Sequence, residues 1–345
     1  MKLLSIIIPV YNVEKYIRPC LESIFRQGLD EERYEVIIIN DGTKDNSIEV
    51  VQDIISHHSN ITLINQENQG LSVVRNNGIA IAKGEYILMP DSDDLLIDNS
   101  LAPLLDAAIS TKADLVVADF LKLNDEEILK EINNTHNQKE FTYEEKTGER
   151  LFLEDLNPYQ CYVWRTLFRR EFLLESNLKF VPGIYIQDVP FTHECYLKAK
   201  KCLRSPWLLN IYRIGHESAT YCYNKKKMID FCTAIVKTWE LKNIPELTPT
   251  KLNKLKNDVY ISFSVMICSC VHAIHKESER LEIIDYLHQK APDLNFQNGY
   301  KEKIVTFMFR NMPHTYIRLR HLYGMIVEDT MIPFYYHKLK RIYRK

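Results

Sequence analysis

The sequence lacks the marks of several common protein classes. No apolar run reaches the roughly 20 residues that a membrane span needs. The nearest stretch, Val259–Ile274, is uncharged but broken by Ser262, Ser264, Ser269 and His272, and reads as a buried helix. The first apolar run, Leu3–Val10, leads into Tyr11–Asn12 without the small-residue cleavage site of a secretory signal. The eight cysteines are scattered, with no Cys-x-x-Cys pair and no paired histidines to suggest zinc. They read as free thiols in a reducing cytoplasm. Excess charge of one sign is missing too: 44 Lys+Arg stand against 46 Asp+Glu, which excludes whole-chain affinity for nucleic acid. There is no internal repeat and no low-complexity tract. With 46% hydrophobic and 26% charged residues, disorder, collagen and coiled coil are excluded on composition. A length of 345 residues suits one large domain plus an accessory region.

What the first 120 residues do have is alternation. Short β-branched runs at Leu3–Val10, Val36–Asn40, Ile61–Asn65, Tyr86–Met89 and Leu115–Phe120 are apolar at successive positions, as strands buried on both faces are. Between them, Val13–Phe25, Ser47–Ile55 and Ser72–Ala82 carry apolar residues at helical spacing. Strand–helix–strand repetition of this length predicts right-handed crossovers and a mostly parallel α/β sheet flanked by helices. Asn124–Arg150 holds eight acidic and four basic residues and reads as an exposed excursion. Order resumes at Leu151 and runs through a second αβ-like stretch to Tyr223. From Lys225 the pattern is helical, so the expected division is a 1–224 α/β domain and a 225–345 helical region.

In an open α/β sheet, ligands bind outside the carboxyl ends of the strands. Three such ends here are polar: Pro9–Asn12, Asn40–Thr43 and Pro90–Asp94. Asp91, Asp93 and Asp94 crowd one turn, where carboxylates repel unless a cation neutralises them. That turn either holds a hard cation such as Mg²⁺ or Mn²⁺ or caps the segment after it. Asp41 either shapes an Asn-Asp-Gly turn or accepts a hydrogen bond from a base edge. Tyr11 either stacks on a base or packs in the core. Arg75, in the helix that Gly70 opens, either reaches a nucleotide or is solvated.

Taken together, these segments resemble family 2 glycosyltransferases of the polysaccharide-biosynthesis type. The similarity runs through Ser5–Asn12 (SIIIPVYN), Val36–Thr43 (VIIINDGT), Gly70–Gly78 (GLSVVRNNG) and Gly84–Asp94 (GEYILMPDSDD), in order and spacing. The resemblance implies a GT-A (Rossmann-like) fold, a nucleoside-diphosphate sugar donor, a divalent cation and inversion at the anomeric carbon. By the same resemblance Pro9, Tyr11 and Asp41 hold the base, usually uracil, and Arg75 and Asn76 line the nucleoside site. Asp91 faces the ribose and, with Asp93, the metal that bridges the phosphates, Asp94 being the alternative ligand. Residues 1–120 would form the donor-binding half and 151–224 the acceptor half.

A weaker similarity covers Val163–Phe180 and Gly183–Asp188, where the family places Glu-Asp at the acceptor site and this chain has Gln187–Asp188. Asp188 is then the expected general base, or else an N-cap of the helix that follows. Arg213 or His216, in Ile211–Thr220, would neutralise the departing diphosphate.

The implied activity is transfer of a sugar from a UDP-sugar to a hydroxyl of a glycan or polyprenyl-linked acceptor in cell-surface polysaccharide synthesis. Two other readings remain. A sugar nucleotidyltransferase would need a Gly-rich, basic loop after the first strand, which Pro9–Asn12 is not. A catalytically idle nucleotide-sugar-binding scaffold is suggested by Gln187. Residues 300–345 hold ten Lys/Arg and three acidic residues, a net +7 interleaved with aromatics, leaving −9 for the rest. That segment reads as a peripheral contact with the inner face of the membrane, a solvated tail or an oligomer contact. Nucleic acid is not expected, because no recognition motif accompanies the charge.

Overall fold

A computed structural model describes residues 2–131, 140–215, 224–245, 247–296 and 299–324. The chain divides into two compact units. The first comprises Met1–Leu156, Gln160–Gly183 and Phe191–His216; the second comprises Asn157–Tyr159, Ile184–Pro190 and Glu217–Lys345.

The first unit is built on a mixed sheet of β1 (Leu4–Val10), β2 (Tyr34–Asn40), β3 (Ile61–Asn65), β4 (Tyr86–Leu88), β5 (Leu95–Leu96), β6 (Leu115–Leu123), β7 (Glu144–Lys146), β8 (Thr166–Arg169) and β9 (Cys202–Arg213). The order is β3-β2-β1-β4-β8-β6-β9-β5, with β7 also on β9. Strands β1 to β4 run parallel, so their carboxyl ends share one edge. Strand β8 is antiparallel to both β4 and β6, and β6 pairs in parallel with β9.

Both faces of β1 are covered, which is why the strand is apolar but for Ser5, whose buried hydroxyl donates to Glu35 Oε1 at 2.6 Å. On one face Ile6, Ile8 and Val10 join a core with Ile17, Leu21 and Ile24 of α1 (Ile17–Phe25). On the other, Ile7 meets α3 (Leu71–Ile81), which follows the short α2 (Gln52–His57). Contact there is so close that a Cβ on Gly78 would sit 2.4 Å from Ile7 Cγ2. Helix α4 (Leu101–Thr111) adds Leu101, Leu104 and Leu105 to the first core.

Three sequence expectations need correction. The helix expected from Val13 begins at Ile17, after a turn in which Tyr16 N and Ile17 N both donate to Val13 O and the Val13 and Glu14 amides donate to Ser47 Oγ and Asp45 Oδ2 at 2.9 and 3.0 Å. The helix expected at Ser47–Ile55 starts as a 3₁₀ turn, Glu49–Val51, before α2. The segment Asn124–Arg150 is partly ordered. It contains α5 (Asp125–Glu131) and the strand β7. Asn124 and Glu127 cap α5 reciprocally, Glu127 N donating to Asn124 Oδ1 at 3.0 Å and Asn124 N to Glu127 Oε2 at 2.9 Å. After β7 the chain forms α6 (Gly148–Arg150), a π-helical turn (Leu151–Asp155), α7 (Arg170–Glu175) and α8 (Asp188–Lys198).

From Asn224 on, the described residues are helical: α9 (Lys225–Glu240), α10 (Pro249–Ala273), α11 (Glu277–Lys290), α12 (Tyr300–Asn311) and α13 (313–324). The apolar stretch at 259–274 lies in α10, burying Val259, Phe263, Met266, Ile267 and Cys270. Thr248 caps that helix and Pro249 opens it, where its missing N–H is harmless. No helix among the described residues is long and apolar enough to cross a membrane. The seven described cysteines are free thiols.

Candidate functional site

The site is assembled from turns that leave the shared carboxyl edge of β1, β2 and β4. Pro9 is buried within β1, in register with Ile39. Two residues on, the Tyr11 ring is exposed. Asn12 fixes that turn in the left-handed region at φ 55°, where asparagine is tolerated. Its amide donates to Thr43 Oγ1 at 2.8 Å and its Oδ1 accepts from Lys44 N at 3.1 Å. The turns after β1 and β2 are thereby locked together.

Asp41 is buried at the end of β2. Its Oδ1 accepts from Gln66 Nε2 at 2.8 Å and Gln69 N at 2.9 Å, and its Oδ2 from Gly70 N at 2.8 Å. Gly42 and Gly70 take φ of 67° and 87°, conformations that side chains disfavour. One carboxylate thus draws the loop before α3 onto the strand end. A carboxylate has about four acceptor positions, so room for a further donor remains at Oδ2.

The acidic turn after β4 brings oxygens of Asp91, Asp93 and Asp94 within 4.8 Å of one another. Asp91 Oδ1 accepts from Arg75 Nη2 at 2.6 Å, and the Arg75 guanidinium lies over the Phe180 ring at 5.3 Å. Arg75 is completely buried, so its link to the site runs through Asp91. Asn76 Nδ2 donates to Phe180 O at 2.8 Å, and its Oδ1 accepts from Phe180 N at 2.9 Å. Both polar ends of Asn76 therefore tether the Phe180 backbone.

Asp94 is almost wholly buried, and its Oδ1 accepts from Arg213 N at 2.8 Å. Its Oδ2 is buried with no hydrogen-bond partner among the described residues. Burial pushes its carboxyl well above the ordinary range, and the charges of Asp93 and Asp91 push it further. Arg213 Nε donates to Asp93 O at 2.8 Å, its Nη1 pairs with Asp125, and its guanidinium sits 4.9 Å from the Tyr16 ring.

The structure thus gathers Asp91, Asp93, Asp94, Arg75 and Arg213 around one turn, with Tyr11 and Asp41 on neighbouring strand ends. It assigns Asp188 to the second unit, as the first residue of α8. The adjoining Gln187 is buried, its Oε1 without a partner among the described residues. His216 lies outside the described residues. Three contributors escaped the sequence reading. Gln66 is an ordinary loop residue by composition. Phe180 and Asp125 lie 89 and 34 residues beyond Asp91 in the chain, and no local pattern ties them to it.

Residues 5–175 match the glycosyl transferase family 2 model. The chain is 35% identical over 219 residues to the uncharacterized glycosyltransferase EpsJ of Bacillus subtilis, covering 63% of each protein. It is 27% identical over 315 residues to the uncharacterized glycosyltransferase YibD of Escherichia coli, covering 88% of this chain and 87% of that one. Its fold matches the Staphylococcus aureus TarS 1–349 structure solved with UDP-GlcNAc, with a TM-score of 0.70 over 93% of this chain and 88% of that one, at 21% identity. The mixed, mostly parallel sheet flanked by helices is the GT-A architecture. Over residues 5–175, this chain belongs to glycosyl transferase family 2.

Proposed function

We propose that the protein is an inverting, metal-dependent glycosyltransferase that moves a sugar from a UDP-sugar to a hydroxyl of a glycan or polyprenyl-linked acceptor in cell-surface polysaccharide synthesis. One observation carries this reading: Tyr11, Asp41 and the Asp91–Asp94 turn meet on one strand edge of a sheet belonging to this family. The TarS structures, solved with UDP-GlcNAc and with UDP, support UDP as the first donor nucleotide to test.

The acidic turn fits a divalent cation. Its donors are all carboxylate oxygens, and the orphaned Asp94 Oδ2 sits among three carboxylates whose charge Arg75 and Arg213 offset in part. Asp93 and Asp91 would hold the ion, with Asp94 behind them. When bound, the cation would stabilise the charge developing on the leaving diphosphate. The chain's own residues do the rest. Tyr11 stacks on the base and Asp41 accepts from its N–H. Arg75 holds Asp91 in place, and Arg213 adds positive charge beside the diphosphate. Asp188 takes the proton of the acceptor hydroxyl as its oxygen attacks the anomeric carbon, help worth about 10²–10⁴-fold. A polyprenyl-linked acceptor places the enzyme at the inner face of the membrane.

Calorimetric titration with UDP, with and without Mn²⁺, tests the reading. Binding that requires Mn²⁺ and disappears in Asp93→Ala supports it; binding of no nucleoside diphosphate under any cation removes it. Gln187, in place of the family's glutamate beside Asp188, favours a second reading as a non-catalytic sugar-nucleotide-binding scaffold. UDP-sugar hydrolysis by wild type, lost in Asp188→Asn with UDP binding retained, excludes that reading.

A further inference from the structure

Half of the exposed large hydrophobic side chains of the described residues, seven of fourteen, fall between Tyr300 and Tyr323, which makes this stretch of the second unit unlike the rest of the surface. Their spacing is orderly. On α12, Thr306 and Phe309 are buried, Phe309 against Phe263 with centroids 5.4 Å apart. Tyr300, Ile304 and Phe307 recur at i, i+4 and i+7 on the opposite side, 82%, 43% and 59% exposed. Helix α13 repeats the arrangement. Tyr316 and Ile317 are buried, while Leu319 and Leu322, at i and i+3, face the other way and are both 49% exposed. Each helix therefore has one apolar side inside the unit and a second in water. A helix apolar on both sides calls for a second apolar partner.

The charge around these stripes identifies the partner. Residues 299–324 contain five Lys/Arg (301, 303, 310, 318, 320) and one acidic residue, Glu302. This +4 stands against −6 for the remainder of the chain. Lys301 and Lys303 are exposed and lie beside Tyr300 and Ile304 along α12. A symmetric dimer through this patch would set two such positive surfaces face to face, whereas an anionic lipid surface attracts them. The α12 stripe, headed by Tyr300 and flanked by Lys301 and Lys303, matches the interfacial layer of a bilayer, where rings and aliphatic chains sink below the headgroups and ammonium groups stay among them.

We propose that the outward sides of α12 and α13 form a docking surface for anionic phospholipid, seating the protein on the membrane through Tyr300, Ile304, Phe307, Leu319 and Leu322, with Lys301 and Lys303 on headgroup phosphates. The proposal deepens the inner-face placement above and rests on it. Its test is sedimentation of the full chain with phosphatidylcholine vesicles and with vesicles of equal parts phosphatidylcholine and phosphatidylglycerol. Wild type sediments with the anionic vesicles only and is released by high salt. Lys301→Glu/Lys303→Glu lowers the partition coefficient by about 30-fold or more, from roughly 1 kcal/mol per basic residue. Phe307→Ser/Leu322→Ser lowers it about tenfold or more, in proportion to the apolar area withdrawn from the bilayer.

Circular dichroism melts confirm that each variant is folded, and UDP titration of the same samples keeps the two proposals apart. Protein that binds UDP with Mn²⁺ but no vesicle retains the donor site and loses this surface. Vesicle binding without UDP binding does the reverse. Vesicle binding unchanged in both double variants overturns the proposal. So does concentration-dependent dimerisation, without vesicle binding, that Phe307→Ser abolishes, since the occupant is then a second copy of the chain.

Discussion

Arg75 Nη2 stands 2.6 Å from Asp91 Oδ1, joining a completely buried guanidinium on α3 to a carboxylate of the acidic turn after β4. The pair ties the helix that follows the Asp41 loop to the turn that carries Asp93. Arg75→Lys keeps the charge but loses the planar group that lies over Phe180. UDP affinity should fall about tenfold in that variant, while Arg75→Met should lose it altogether. Breaking a buried pair costs about 3–5 kcal/mol, and the partial exposure of Asp91 places Arg75→Met at the low end. Calorimetry and urea unfolding of both variants check this; unchanged UDP affinity in Arg75→Met would show that the pair serves stability alone.

Asn76 carries the second tie. Its two hydrogen bonds to the Phe180 backbone join residues 104 apart in sequence. Asn76→Ala leaves that N–H and C=O without their partner, and each partly buried bond is worth about 1 kcal/mol. The expected loss is about 2 kcal/mol in urea unfolding. UDP affinity should change less than in Arg75→Lys, because Asn76 reaches the acidic turn only through Phe180 and Arg75. An Asn76→Ala protein as stable as wild type would exclude the tether.

These two residues show where a sequence stops being legible. Strands β1, β2 and β4 could be read because burial on both faces forces runs such as Ile6–Ile7–Ile8, and the acidic turn because three carboxylates in four residues are costly without a reason. Arg75 and Asn76 were visible as polar residues opening a helix, but not what they hold. Phe180 and Asp125 come from distant segments, and only the folded sheet brings them near Asp91 and Asp93. The capping pair Asn124 and Glu127 had the sequence signature of a helix start, masked by the acidic composition around it. Strand β5, two residues long, has too little pattern to be seen before β9 is placed beside it.

Asp125 is set against Arg213. Its carboxylate, largely exposed at the start of α5, pairs with a guanidinium that also reaches Asp93 O. With a diphosphate bound nearby, that carboxylate competes for Arg213 and repels the phosphates. Asp125→Asn should therefore tighten UDP binding by up to about fivefold, the equivalent of the 0.2–1 kcal/mol of an exposed pair. The gain should shrink at high salt. Weaker binding instead would mean that Asp125 aims Arg213 at the diphosphate rather than occupying it.

Glu154, in the π-helical turn after α6, sets an acid limit on the far side of the sheet order from β1. Arg150 Nε donates to its Oε1 at 3.0 Å and Lys146 Nζ to its Oε2 at 3.0 Å. These bonds, those from Arg150 first, lower its carboxyl from 4.5 to about 2. A carboxyl depressed in the folded state stabilises the protein above its unfolded value, and the stabilisation is lost as pH falls through the folded value. Thermal melts of wild type and Glu154→Gln at low salt should thus differ most above pH 4.5 and converge as pH falls toward 2. Lys146 is buried and also paired with Asp155 and Glu144, so the glutamine variant keeps two ion pairs there and should remain folded. A difference between the melts that grows on acidification would contradict this assignment, since it would require Glu154 to bind its proton more readily folded than unfolded.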